Sequence, residues 1–145
     1  MTAGQGAPIL PRVMELEFTW VDPSLVVCRT SELADLKGYE ELMRALSSSP
    51  EFGPDVKLLM DHTALDASAL TAADLEEIAT IRARYAGDNK ARSAMVVGSG
   101  SRLRFGLGRM FEAFMSSQAA IDVRIFEEFD DAIVWLQADD AGQAT

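Results

Sequence analysis

The sequence predicts a single α/β domain in which helices cover a mixed five-stranded sheet. Apolar residues alternate with a period of two in some segments and recur at three- and four-residue spacings in others, which gives the order ββαβαβαβα. Strands separated by helices imply parallel crossovers, whereas two consecutive strands at the start imply an antiparallel edge strand. The length of 145 residues suits one domain, predicted at residues 12–137 between flexible tails at 1–11 and 138–145.

The first two strands are predicted to form a hairpin. Alternate residues around Phe18 and Trp20 are apolar, which is typical of a strand with one buried face. Asp22 and Ser24 flank a proline and supply turn chemistry, and residues 25–30 resume as the second strand.

The middle of the chain continues as helix, strand and helix. Residues 36–46 show helical spacing, and residues 56–60 are a short apolar run with the composition of a buried central strand. Residues 71–74 resemble a capping box, and Gly87 is predicted to end the helix that follows. Its predicted inner face consists of Leu75, Ile78, Ile81 and Tyr85.

The last third of the sequence is predicted to form a strand, a helix, a second strand and a short closing helix. The strands are predicted at residues 94–97 and 123–126. The first helix is predicted to bury Leu103, Leu107, Met110, Phe111 and Phe114, and the closing helix Phe129, Ala132, Ile133 and Leu136.

Composition excludes several classes of protein. The single cysteine, Cys28, permits neither a disulfide framework nor a cysteine-based zinc site, and no motif for a metal or cofactor is present. The first residues lack a basic region followed by an apolar run, and no segment approaches the roughly 18 apolar residues of a membrane span. We therefore expect a cytoplasmic protein with no integral membrane segment.

The net charge of −10 argues against binding to nucleic acid, but the charge is unevenly distributed. Seven of the thirteen basic residues lie at positions 82–109. This run either balances acidic side chains elsewhere in the fold or forms a site for an anion or an acidic partner. The acidic candidates for balancing it are Glu127, Glu128, Asp130 and Asp131.

Four segments resemble a known family. They read VKLLMD at 56–61, FGLGRMF at 105–111, VRIF at 123–126 and DAIVWL at 131–136. Together they resemble the SpoIIAA-like group of STAS-type domains, bacterial proteins mostly of unassigned function, over residues 14–136. The resemblance implies the STAS-like fold and a regulatory role through protein partners, switched in better-studied relatives by phosphorylation of a serine or threonine.

Ser68 is the position that corresponds to the phosphorylated serine of those relatives. Their loop reads roughly Asp-Ser-Ser-Gly, whereas here Ala67 and Ala69 flank Ser68 and the spacing from Asp61 differs. The alternative is that Ser68 is an ordinary turn residue.

Asp61 and His62 follow the central strand at its carboxyl end, where α/β proteins often place functional groups. His62 is the only histidine of the chain, and no serine or cysteine motif accompanies it as a nucleophile. The two residues are candidates for binding, or else belong to the turn, and we predict no catalytic residue.

A Gly/Ser turn at residues 98–101 precedes the third helix. Its spacing fits neither a dinucleotide fingerprint nor a Walker loop. Ser101 is therefore predicted as a helix N-cap, with a general anion site as the alternative. The residues of that site would be Ser99, Ser101, Arg102 and Arg104.

Phe105 falls opposite the predicted apolar stripe of this helix, on the side of Arg109. It either contributes with Arg109 to a contact surface, or packs inward because the helix begins later.

These observations favour a non-enzymatic STAS-type regulatory or protein-interaction module, which binds a protein partner or itself. The alternative is a carrier or sensor of a small apolar or anionic, lipid-like ligand. A pocket lined by Leu65, Phe105, Met110 and Phe114 would favour the carrier, and a flat surface with exposed Phe105 and Arg109 would favour a protein partner.

Overall fold

A computed structural model describes residues 16–30, 36–68, 70–87, 89, 91–118 and 121–138. The predicted tails at 1–11 and 138–145 lie outside these residues, except for Ala138. The strands are β1 (Leu16–Asp22), β2 (Leu25–Thr30), β3 (Lys57–Asp61), β4 (Ser93–Val96) and β5 (Val123–Phe126). The helices are α1 (Leu36–Ser48), α2 (Ala72–Ala86), α3 (Arg102–Gln118) and α4 (Phe129–Gln137). The predicted element order is confirmed.

The five strands form one mixed sheet in the order β1-β2-β3-β4-β5. β1 is antiparallel to β2 and lies at the edge, whereas the other neighbours are parallel, as predicted. In the hairpin turn, the backbone N–H and the hydroxyl of Ser24 both donate to Asp22 Oδ1 at 2.7 Å. The prediction of a buried face on β1 is wrong at Phe18 and Trp20, which are 39% and 37% exposed. Among the described residues, the apolar clusters of the core include β2 but no residue of β1.

Helices cover both faces of the sheet. On one face, α1 and α2 pack on Val26, Cys28, Leu58 and Met60, and α3 packs beside α2. On the other face, Ala132 and Leu136 of α4 pack on the alternate strand residues, which include Val27, Leu59 and Val96. Each central strand is therefore buried on both sides, which explains its continuous apolar sequence.

Local signals set the ends of α2 as predicted. The backbone N–H of Asp74 donates to Thr71 Oγ1 at 3.1 Å, and the backbone N–H of Thr71 donates to Asp74 Oδ2 at 3.0 Å. This capping box satisfies two N–H groups at the helix start. At the other end, Gly87 takes a φ of 56°.

The observed inner face of α3 is rotated by about a quarter of a turn from the predicted one, if each residue advances the helix by about 100°. Leu103 and Met110 are 50% and 36% exposed, whereas Gly108, Phe111 and Met115 are buried. Apolar residue type does not identify the inner face of α3, because Arg104 and Gly108 occupy inner positions. A Cβ on Gly108 would lie 3.1 Å from Ile125 Cγ2 on β5, so the glycine permits the close approach of helix and strand.

None of the helices in the described part of the chain is long and apolar enough to cross a membrane.

Candidate functional site

A cavity of about 70 Å³ lies between the sheet and the helices α2 and α3. Its sheet side is formed by Met60 on β3, Met95 on β4 and Val123 on β5. Because residues two apart on a strand share a face, and parallel neighbours are in register, these side chains point toward the same helices. The sheet therefore supplies an apolar floor.

The two helices line the cavity at helical spacing. α2 contributes Leu75, Ile78 and Arg82, and α3 contributes Arg104, Leu107, Gly108 and Phe111. Positions three and four apart lie on one helix face, so each helix turns a single face toward the cavity. Leu65 and Leu70 from the loop between β3 and α2 cover one end.

Arg82, Tyr39 and Ser93 are buried residues with polar side chains that line this site. Arg82 is 4% exposed and Tyr39 is also buried. Burial lowers the pKa of Arg82, and it raises the pKa of Tyr39 to about 12, because the charged form of each group loses its hydration. At neutral pH the phenol is therefore uncharged and the guanidinium charged.

His62 lines the cavity at the carboxyl end of β3. The hydroxyl of Thr30 lies 3.1 Å from His62 Nδ1 and 3.4 Å from the carbonyl oxygen of Asp61. Burial lowers the pKa of His62 to about 4, although the charge of Asp61 opposes the shift. His62 is thus neutral at pH 7 and presents an uncharged ring to the cavity.

Asp61, predicted as a binding residue, is buried and already has protein partners. Arg29 Nε lies 3.3 Å from Asp61 Oδ2, and the backbone N–H and hydroxyl of Thr63 donate to Asp61 Oδ1 at 3.0 and 2.8 Å. This carboxylate therefore holds the turn after β3 in place.

Arg104 enters the site in a role that differs from the predicted anion binding. Its Nε donates to the carbonyl oxygen of Val97 at 2.7 Å, and its NH1 donates to that of Leu65 at 3.2 Å. Ser101 Oγ accepts from the backbone N–H of Arg104 at 3.1 Å, which confirms Ser101 as the cap of α3. Arg104 thus joins the loop after β4 to the loop after β3 at the cavity wall.

The other predicted site residues do not reach the cavity. Ser99 and Arg102 are exposed, and exposed Arg109 lies 3.2 Å from Glu112 Oε1 in an ion pair. Phe105 lies within α3, so the helix does not begin after it, and its side chain is half-buried at the margin of the inner face. Arg109 is therefore accessible to a partner, whereas Phe105 is only partly so. Of the four residues expected to line a pocket, Leu65 lines the cavity, but Phe105, Met110 and Phe114 do not.

Ser68 occupies an exposed turn before the cap of α2. Its backbone N–H and its hydroxyl donate to Asp66 Oδ1 at 3.0 and 2.7 Å. These bonds are those of an ordinary Asx turn, the alternative interpretation of this position.

Of the described members of the basic run at 82–109, Arg82 and Arg104 line the cavity, whereas the others lie elsewhere on the fold. Arg84 lies 3.3 Å from Glu40, and Arg92 stacks on Trp135 while donating to the carbonyl oxygens of Leu136 and Ala138. The acidic partners of Arg84 and Arg109 are Glu40 and Glu112, not the acidic residues at 127–131 that the sequence suggested.

Sequence analysis did not single out Arg82 or Tyr39 as site residues. The signal for Arg82 was its position: it follows Leu75 by seven residues and Ile78 by four, which places it on the inner stripe of α2. An arginine at an inner helical position is rarely buried unless a partner or a ligand compensates it. Tyr39 carried no comparable signal, because aromatic residues on an inner face ordinarily belong to the core.

Comparisons with protein-family models, with curated proteins and with solved structures gave no match to this chain.

Proposed function

We propose that this chain is a cytoplasmic, non-enzymatic domain that binds a small, largely apolar molecule in the cavity beneath α2 and α3, as a carrier or sensor. The observation that carries the proposal is the cavity itself, lined by apolar side chains of two helices and three strands with a few polar groups among them. This composition is typical of small-molecule sites.

The size of the cavity limits the ligand. A single water molecule needs about 10–15 Å³ of cavity volume. A cavity of about 70 Å³ therefore holds roughly five to seven groups as large as a water molecule. A short chain or a single ring fits, whereas a long acyl chain would require α2 and α3 to separate.

The family assignment belongs to the same proposal. The mixed sheet with an antiparallel edge strand supports a STAS-like domain, and the segments resembling SpoIIAA-like proteins form β3, part of α3, β5 and part of α4. Within such a domain, an occupied cavity would act as the regulatory signal.

The test blocks the cavity and compares ligand binding. Leu107→Trp places a larger side chain in the cavity, and Leu103→Trp makes the same change on the exposed side of α3. With 1-hexanol as probe, calorimetry should detect binding to the parent protein and Leu103→Trp but not to Leu107→Trp. Native mass spectrometry of fresh protein would report a retained molecule. Equal binding by both variants would contradict the proposal.

A second candidate, the protein-interaction module, is favoured by the outer face of α3. Leu103 and Met110 are exposed there beside Arg102 and Arg109. Exposed apolar residues with flanking arginines are typical of contact surfaces. If this face self-associates, sedimentation velocity should show a dimer that the double variant Leu103→Gln, Met110→Gln abolishes. A monomer across the concentration range would contradict self-association.

A further inference from the structure

Arg82 brings a positive charge into a cavity whose walls are otherwise chiefly apolar. Its side chain lines the cavity and is 4% exposed. Among the described residues it has neither a hydrogen-bond partner nor an ion-pair partner. An arginine remains protonated at neutral pH, and burial of a charge without a partner is unfavourable. The described residues therefore leave the charge of Arg82 uncompensated.

The groups around Arg82 do not supply the missing negative charge. Tyr39 and Cys28 act on Arg82 electrostatically, but burial raises the pKa of both groups, so both are neutral at pH 7. None of the described residues that line the cavity is an aspartate or a glutamate, and the carboxylate of Asp61, next to His62 in sequence, is held by Arg29 and Thr63. A compensating anion must come from outside the fold.

We infer that the ligand is a small apolar monocarboxylate whose carboxylate group binds the guanidinium of Arg82 while its apolar part contacts Met60, Met95 and Phe111. This inference rests on the proposed function, because it names the ligand class of the same cavity. The planar guanidinium matches a carboxylate with two parallel N–H···O bonds. The hydroxyl of Tyr39, which also lines the cavity, can donate a further hydrogen bond.

The balance of charge favours a carboxylate over a phosphate ester. A phosphomonoester carries about −1.5 to −2 at neutral pH, whereas a carboxylate carries a single charge. Both Arg82 and Arg104 line the cavity with positive charge, but the Nε and NH1 groups of Arg104 already donate to the carbonyl oxygens of Val97 and Leu65. His62 is neutral because burial lowers its pKa to about 4. Arg82 is thus the guanidinium available for direct pairing, and one guanidinium matches a single carboxylate.

The test uses four probes that share a six-carbon chain: hexanoate, 1-hexanol, hexylamine and hexyl phosphate. Their dissociation constants are measured by calorimetry at pH 7 on the full chain. We expect hexanoate to bind about 10- to 100-fold more tightly than 1-hexanol, the range for a hydrogen bond to a charged group. Hexyl phosphate should bind more weakly than hexanoate, and hexylamine should not bind.

Substitutions test whether Arg82 causes the preference for hexanoate over 1-hexanol. Arg82→Met should remove the preference for hexanoate and leave 1-hexanol binding intact, whereas Arg82→Lys should retain part of it. Arg84→Met is the matched control, because Arg84 is exposed on the same helix and pairs with Glu40. Replacing an uncompensated buried charge with an apolar side chain should also raise Tm by roughly 2–8 °C, which shows that the variant folds.

The outcomes separate this inference from the proposed function. If 1-hexanol and hexanoate bind equally and Leu107→Trp blocks both, the cavity is a ligand site but the carboxylate assignment is wrong. If hexyl phosphate binds more tightly than hexanoate, the single-charge argument is wrong. If none of the probes binds the parent protein, the proposed function and the inference both fail.

Discussion

At the scale of single residues, Arg82, Arg104 and His62 are three of the polar residues that line the cavity, and they differ in how their charge is accommodated. The Nε and NH1 groups of Arg104 donate to backbone carbonyl oxygens, and His62 is neutral. Arg82 stays charged at neutral pH and has no such acceptor among the described residues. This difference singles out Arg82 as the residue on which recognition depends.

His62 makes stability depend on pH in a definite direction. Its pKa is about 4 in the folded protein against 6.5 for an unperturbed histidine, so between these values the unfolded chain binds a proton that the folded chain does not. Stability should therefore fall as pH decreases from 6.5 to 4. Because the ring is partly exposed, we expect a loss of about 1–2 kcal/mol.

Urea unfolding at pH 7 and pH 4.5 measures this effect. Carboxylates also titrate in that range, so the comparison is with His62→Asn, which retains a polar side chain beside Thr30 without titrating. The parent protein should lose more stability than His62→Asn on acidification. An identical loss in both proteins would contradict a histidine that stays neutral in the folded protein between pH 4.5 and 7.

At the scale of elements, α3 carries two glycines in opposite environments. A Cβ on Gly106 would meet nothing within 4 Å, whereas one on Gly108 would lie 3.1 Å from Ile125 Cγ2. Gly106→Ala should raise the free energy of unfolding by about 0.5–1 kcal/mol, because alanine favours the helix. In Gly108→Ala the crowding of Ile125 should cancel this gain or exceed it.

Thermal and urea unfolding of the two variants test this contrast. Both substitutions add the same methyl group to the same helix, so each serves as the control for the other. An equal gain in stability from both would show that α3 does not approach β5 as closely as described.

The periodicity of the sequence was sufficient to find each element, because strand and helix periods depend on local spacing. It was not sufficient to orient α3, since the inner position of Arg104 depends on carbonyl oxygens of Val97 and Leu65. Leu65 lies 39 residues away in sequence, on another loop. Likewise, the alternation in β1 predicted a buried face that the core does not reach. Local pattern identifies elements, whereas contacts between distant segments decide which face is inside.

Local sequence pattern was also insufficient to predict the candidate site in full. His62 was found because the carboxyl end of a central strand is a general location for sites. Ser99, Arg102 and Arg109 were selected for their residue types, yet they lie at the surface. The cavity could not be predicted because it forms where α2, α3 and the sheet meet.

At the scale of the whole molecule, an acidic domain encloses a positive charge. The net charge is −10, while Arg82 on α2 lines a cavity whose other walls include apolar residues of three strands. The overall field disfavours anions at the surface, so an anionic ligand must gain its affinity inside the cavity. Burial of its apolar part and pairing with Arg82 supply that affinity together.

The central claim is that the cavity admits a small molecule. NMR of the methionine methyl groups tests this claim most directly. Met60 and Met95 line the cavity, whereas Met110 is exposed on the outer face of α3. In the protein labelled with ¹³C at its methionine methyl groups, titration with 1-hexanol should shift the resonances of Met60 and Met95 and leave that of Met110 unchanged. Shifts confined to Met110, or no shift at Met60 and Met95 at saturating probe, would contradict the claim.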